Sequence, residues 1–97
     1  MGKLIRFLYY QISFVVFSAD INEKRRHIHA VCGTKNAKLC KFWIEKNGKN
    51  DTELVYNYGF SQKELTTIEK LINENYETIN KQLDIFYNGK QVKSIKI

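Results

Sequence analysis

The sequence predicts an α+β domain: a small, mostly antiparallel sheet of about four strands with one long C-terminal helix packed on one face. Three observations carry this reading. Residues 11 to 58 hold short β-branched and aromatic runs divided by polar turn clusters. After Ser61 the apolar spacing changes to three and four and is sustained to Phe86. The chain has 97 residues, enough for one core, so the stripe on that helix has only the sheet to bury against.

Residues 1 to 10 are apolar around Arg6 and read as an opening strand or a short arm. Gln11 to Ala19 is apolar at both parities, as in a strand buried on both faces, and takes a central place in the sheet. Asp20 to Arg26 is a charged loop. His27 to Cys32 and Ala37 to Lys46 read as a hairpin around the turn Gly33-Thr34-Lys35-Asn36. Asn47 to Asp51 is a second turn cluster, and Glu53 to Tyr58 a short strand. Ser61-x-x-Glu64 is a capping box, in which each side chain satisfies a backbone N–H of the first turn. Leu65, Ile68, Leu71, Ile72, Tyr76, Ile79, Leu83 and Phe86 then form one stripe on a helix of about seven turns. Asn88-Gly89 is its stop. The basic tail, residues 90–97, reads as an edge strand or an arm, and the whole chain, 1–97, as a single domain.

Composition narrows the class. At 43% hydrophobic and 13% aromatic the chain has the material for a core and does not read as disordered. Two cysteines, Cys32 and Cys40, allow one disulfide at most, so a reduced, cytoplasmic protein is expected. The run Phe7 to Phe17 mimics a signal peptide. It is broken by Tyr9, Tyr10 and Gln11, and Phe17 falls where a small residue is needed. It is also too short to span a membrane, and no membrane contact is expected. The net charge is +6, but segment Ser61 to Tyr87 sums to −2 and leaves +8 for the rest. A basic sheet, loop and tail suit phosphate backbones or an acidic protein, and lysines also keep edge strands from pairing. Tyr9, Tyr10, Phe42, Trp43, Tyr56 and Tyr58 interleave with lysines, as in stacking platforms for single-stranded bases and also in small-domain cores, with Tyr9, Tyr56 and Tyr58 left open between the two. Phe14, Phe17 and Phe60 read as core. P-loop, GxGxxG, Ser-elbow and RNP motifs are absent, and no cofactor is expected.

Three blocks carry a family resemblance. The first is the apolar strand leading through a polar loop into His27-Ile28-His29. The second is Ala37-Lys38 with Lys41-Phe42-Trp43-Ile44. The third is Gly59-Phe60-Ser61 followed by Glu64-Leu65, Ile68-Glu69-Lys70-Leu71-Ile72 and Glu74-Asn75. From Ile12 to Phe86 the chain resembles the small bacterial family of domain of unknown function 4160. It departs in having Arg25-Arg26 where members commonly have prolines, in lacking a Trp near Lys81 to Leu83, and in a longer stretch from Lys46 to Tyr58. The resemblance implies a bacterial protein of a toxin–antitoxin-like or regulatory module, encoded beside a small cognate partner. It implies no established reaction.

His27 and His29 are the candidate catalytic residues. At i and i+2 on a strand they share a face, with Arg25 if the strand starts early. One imidazole as base and one as acid would cleave RNA without metal, and Lys24, Arg25, Arg26 and Lys41 would bind the phosphate or a partner. The bland alternative is a half-exposed pair that orders the preceding loop. A metal needs three or four ligands, and only Cys40 is near enough to join the histidines, in one of its two registers. Both cysteines read as small core hydrophobes. The expected function is action on RNA or other nucleic acid through the basic sheet surface. The alternative is a non-catalytic subunit binding a neighbouring small protein, with a homodimer also open.

Overall fold

The computed structural model of the chain describes residues 2–23, 25–33, 37–44 and 52–97. The elements are β1 (Gly2–Phe7), β2 (Ile12–Val16), a 3-10 turn (Ser18–Asn22), β3 (His27–Cys32), β4 (Lys38–Ile44), β5 (Thr52–Tyr58), α1 (Gln62–Glu74), α2 (Tyr76–Tyr87) and β6 (Ile95–Lys96). The six strands form one sheet in the order β5-β4-β3-β2-β1-β6. β1 to β5 pair antiparallel in sequence, and β6 joins β1 in parallel, so the sheet is mixed. The expected turns at Thr34–Asn36 and Asn47–Asp51, and the lysines at 24, 35, 46 and 49, lie outside the described residues.

Two expectations are corrected. The sheet has six strands, not about four. The opening segment is a true strand because Leu4, Ile5 and Phe7 are buried in the core. The tail adds a sixth, fastened by backbone bonds from Ile97 N–H to Arg6 O at 2.8 Å and from Leu8 N–H to Ile97 O at 2.9 Å. Two residues of strand are too few to show a period in sequence. The single long helix is two. Asn75 leaves helical geometry (φ −115°, ψ 21°), and its side-chain amide donates to Leu71 O at 2.9 Å, the same carbonyl its backbone N–H reaches. A short amide side chain that competes for backbone partners interrupts the helix. The apolar stripe runs on through the break, which is why the spacing reads as one helix.

The remaining elements follow the sequence in kind, though the strand expected over residues 11–19 stops at Val16 and Ser18–Asn22 forms the 3-10 turn. β2 sits between β1 and β3, with Phe14 and Val15 buried on opposite faces. All eight stripe residues of the helices are buried in the core, against Ile12, Phe14, Ile28, Ala30, Cys40, Phe42 and Ile44 of the sheet. Both arms of the capping box form: Glu64 N–H donates to Ser61 Oγ, and Ser61 N–H to Glu64 Oε1. The turn into α1 needs Gly59, which has φ +96° and lies where a Cβ would stand 3.2 Å from Lys38 Cγ. Asn57 braces the same turn by accepting from Phe60 N–H and donating to Phe60 O.

Two bulges reset side-chain parity. In β1 the pairing passes from Lys3↔Val15 to Ile5↔Phe14, which leaves Leu4 unmatched and puts Lys3 and Arg6 on one face. In β5 it passes from Lys41↔Tyr56 to Phe42↔Leu54, which leaves Val55 unmatched. Among the described residues no helix is long and apolar enough to cross a membrane.

Candidate functional site on the open sheet face

The helices cover one face of the sheet. The other face carries Val15, His27, His29, Val31, Lys41, Trp43, Tyr56 and Tyr58, residues whose pairing puts them at alternate positions across β2 to β5. His27 and His29 do share this face, and their rings meet edge-on with centroids 5.3 Å apart. They are not on its surface: His27 is 0% exposed and His29 4%.

Side chains from four segments enclose them. Phe17 lies 4.5 Å from the His29 ring, and Trp43 lies 5.8 Å from His27. Tyr56 shares a 3.1 Å hydrogen bond with His29 Nδ1. His27 Nδ1 lies 3.0 Å from Arg25 O, and because a carbonyl can only accept, that contact places the proton on Nδ1. Glu23 folds back over the pair. Its carboxylate is 3.7 Å from His27 Nε2 and takes a hydrogen bond from Lys41 Nζ at 3.1 Å. A general acid or base must come within hydrogen-bond reach of the substrate. In this arrangement both rings lie beneath Glu23, Trp43 and Phe17, and what they visibly do is tie the loop before β3 to the sheet.

The expected phosphate ligands divide. Arg25 stays on the open face, 4.5 Å over the Trp43 ring and 3.5 Å from Glu53. Lys41 also reaches Trp43 at 4.5 Å, but it is mostly buried and paired with Glu23. Arg26 turns to the helical side. It donates to Asn80 Oδ1 at 2.7 Å, to Asn80 O at 3.0 Å and to Asp84 Oδ1 at 3.0 Å, clamping the entry of β3 onto α2. Lys24 lies outside the described residues. The positive charge of the sheet is therefore locally countered around the histidines.

It is not countered at the other end. The register puts Lys3, Arg6 and Lys96 on the open face of β1 and β6, with Arg6 and Lys96 paired side by side. None of the three makes an ion pair with a described carboxylate. Adjacent like charges across a strand pair destabilise a sheet unless an anion lies between them.

Cys40 settles on the core side, opposite Ala30, and so away from the histidines. Burial pushes its thiol up to about 12, which suits a packing residue and not a nucleophile. Cys32 packs partly against the same core, and the two cysteines are not joined to each other. Among the described residues no three His, Cys, Asp or Glu side chains converge as a metal site would need. Phe14 and Phe60 are core residues, as expected, while Phe17 is half-buried on the open face. Tyr9 and Tyr58 are exposed, at 89% and 64%, and Tyr56 is half-buried.

Sequence reasoning missed Glu23, the carboxylate that joins Lys41 to the His27 edge. Its one signal is a spacing of four residues before His27 in a segment read as solvated loop. It also missed Gln82, buried among the stripe residues. Its Nε2 donates to Leu4 O at 2.9 Å and to Lys93 O at 2.7 Å.

The fold defines a small α+β domain: a six-stranded mixed sheet covered by helices on one side and lined by aromatic rings and cations on the other. Residues 12–83 match the model of the family described as Domain of unknown function (DUF4160), and the chain belongs to that family. No curated protein and no solved structure matches it.

Proposed function

We propose that this protein binds single-stranded RNA across the open face of its sheet, as a member of a toxin–antitoxin-like or regulatory module. The observation that carries the reading is the pairing of two unlike ends on one face. Lys3, Arg6 and Lys96 offer cations without carboxylate partners among the described residues at the β1–β6 end. Tyr58, backed by Tyr56 at 5.2 Å, offers an exposed ring at the β5 end. Four strand spacings separate β1 from β5, about 19 Å, enough for several nucleotides. Phosphates at one end and a stacked base at the other is how sequence-tolerant single-strand binders work. His27 and His29 then serve as the floor beneath the rings, which fits the absence of exposed imidazole.

The test is fluorescence anisotropy with a labelled single-stranded RNA of about twelve nucleotides, at about 50 and 200 mM salt. Binding that weakens with salt is expected, with Arg6→Ala and Lys96→Ala each lowering the salt slope by about one. Tyr58→Ala should weaken binding with little change in slope. Absence of binding at low salt would sink the proposal. The same mixtures, run on a denaturing gel beside His27→Ala and His29→Ala, separate binding from cleavage: cut RNA that depends on both histidines would restore the catalytic reading.

The alternative, a non-catalytic subunit for a neighbouring small protein, draws support from β5. This edge strand exposes Leu54 and Val55 and carries neither Lys nor Pro, the usual guards of an open edge. The unmatched Val55 breaks its regularity and limits pairing there.

A further inference from the structure

We infer that the tip of the β1–β2 hairpin is a dimer contact, with a second copy of this chain as the occupant. The tip, residues 8 to 11, projects from the sheet beside the break between α1 and α2. Gln11 holds φ +54°, the left-handed region that a residue other than glycine enters only when its surroundings hold it there. Leu8 and Tyr9 are exposed, at 54% and 89%. Tyr10 meets the Tyr9 ring edge-on at 5.0 Å and sets its direction. Leu8 and Tyr9 lie next to the exposed Ile97, whose carbonyl accepts from Leu8 N–H, and a contiguous exposed apolar patch marks a contact site.

Beside this knob is a hole. A surface cavity of about 380 Å³ lies between the tip and the helix break, walled by Phe7, Leu71 and Ile97 and, on the tip's side, by Tyr9 and Tyr10 themselves. Its rim carries one cation and one anion, Lys70 and Glu74, both well exposed and only loosely paired at 3.9 Å. A knob next to a hole, with both signs of charge on the rim, is self-complementary under a two-fold axis. Tyr9 of each copy enters the cavity of the other, and Lys70 meets the second copy's Glu74. An acidic protein or RNA is a poorer match, because this rim is balanced in charge. The patch is far smaller than the ~20–30 residues a side of a standard interface, so a weak, concentration-dependent dimer is expected.

Sedimentation velocity over a range of concentrations up to about 200 µM, a span that brackets such affinities, tests this without RNA. The result is therefore separate from the binding assay above. Wild-type protein should pass from monomer to dimer as concentration rises. Tyr9→Asp, at an exposed site that the fold does not need, should raise the dissociation constant by about thirtyfold or more while leaving the circular dichroism unchanged. Lys70→Glu should weaken the dimer, and Lys70→Glu with Glu74→Lys should restore it. A wild type that is monomeric throughout would overturn the inference. So would a dimer that ignores Tyr9→Asp and responds to Val55→Lys, since that would place the interface on β5.

Discussion

The two faces of the sheet are built by different rules from the same strands. The helix-covered face is mostly apolar: Phe14, Ile28, Phe42 and Ile44 share one core with Ile68, Ile72, Ile79 and Leu83, and Gln82 is its buried polar side chain among the described residues. The open face buries nearly as deeply at His27 and His29, yet does so with rings, hydrogen bonds and ion pairs. On the first face the driving force is area removed from water. On the second, the groups around the histidines are held by hydrogen bonds, ring contacts and ion pairs to named partners.

The largest effect should come from the covered face. Phe14→Ala removes a fully buried ring and should cost about 3–5 kcal/mol, read from the urea midpoint. On the open face His29→Phe keeps ring volume beside Phe17 and loses the bond to Tyr56. It should cost only about 1 kcal/mol. If the second loss equals the first, the open face is a core in its own right and the contrast fails.

The smallest effect is electrostatic. The Lys38 ammonium, 2.8 Å away, and the Ser61 amide hold the Glu64 carboxyl below its ordinary value of 4.5. A depressed acid stabilises the fold above its unfolded pKa and loses that contribution as pH falls through the folded one. Lys38 is raised from 10.5 by the same bond, so its share is present below that pH and lost above the folded value. Glu64→Gln keeps the cap and removes the charge. Its stability should vary less with pH than that of wild type across the acid limb, and an unchanged slope would show that the pair contributes nothing measurable.

Much of the covered face was legible in the sequence. Local spacing governs it, so the stripe, the capping box, the Asn88-Gly89 stop and the central place of β2 could all be read from neighbours in the chain. The open face was legible only in outline. The pairing of His27 with His29 follows from strand parity. Their burial does not, because Glu23 reaches back from a loop and Phe17, Trp43 and Tyr56 come from three other segments. The direction of Arg26 was likewise hidden: it is fixed by Asn80 and Asp84, 54 and 58 residues further on. The bulge at Leu4, which brings Lys3 and Arg6 onto one face, leaves no mark in composition.

The bond from Gln82 to Leu4 bears on the order in which the fold assembles. It spans 78 residues and fixes the unmatched carbonyl of the β1 bulge. β1 is made early, yet its outer edge is closed only by α2 and the Ile95–Lys96 strand, made last. During synthesis the β1–β2 hairpin therefore waits with one edge open while β3 to β5 add on the other side. Contacts of such long range are slow to form because the intervening chain must first be ordered. The pairings of β1 to β5 join neighbours in sequence, whereas the seal on β1 draws on α2 and β6 from the far end of the chain.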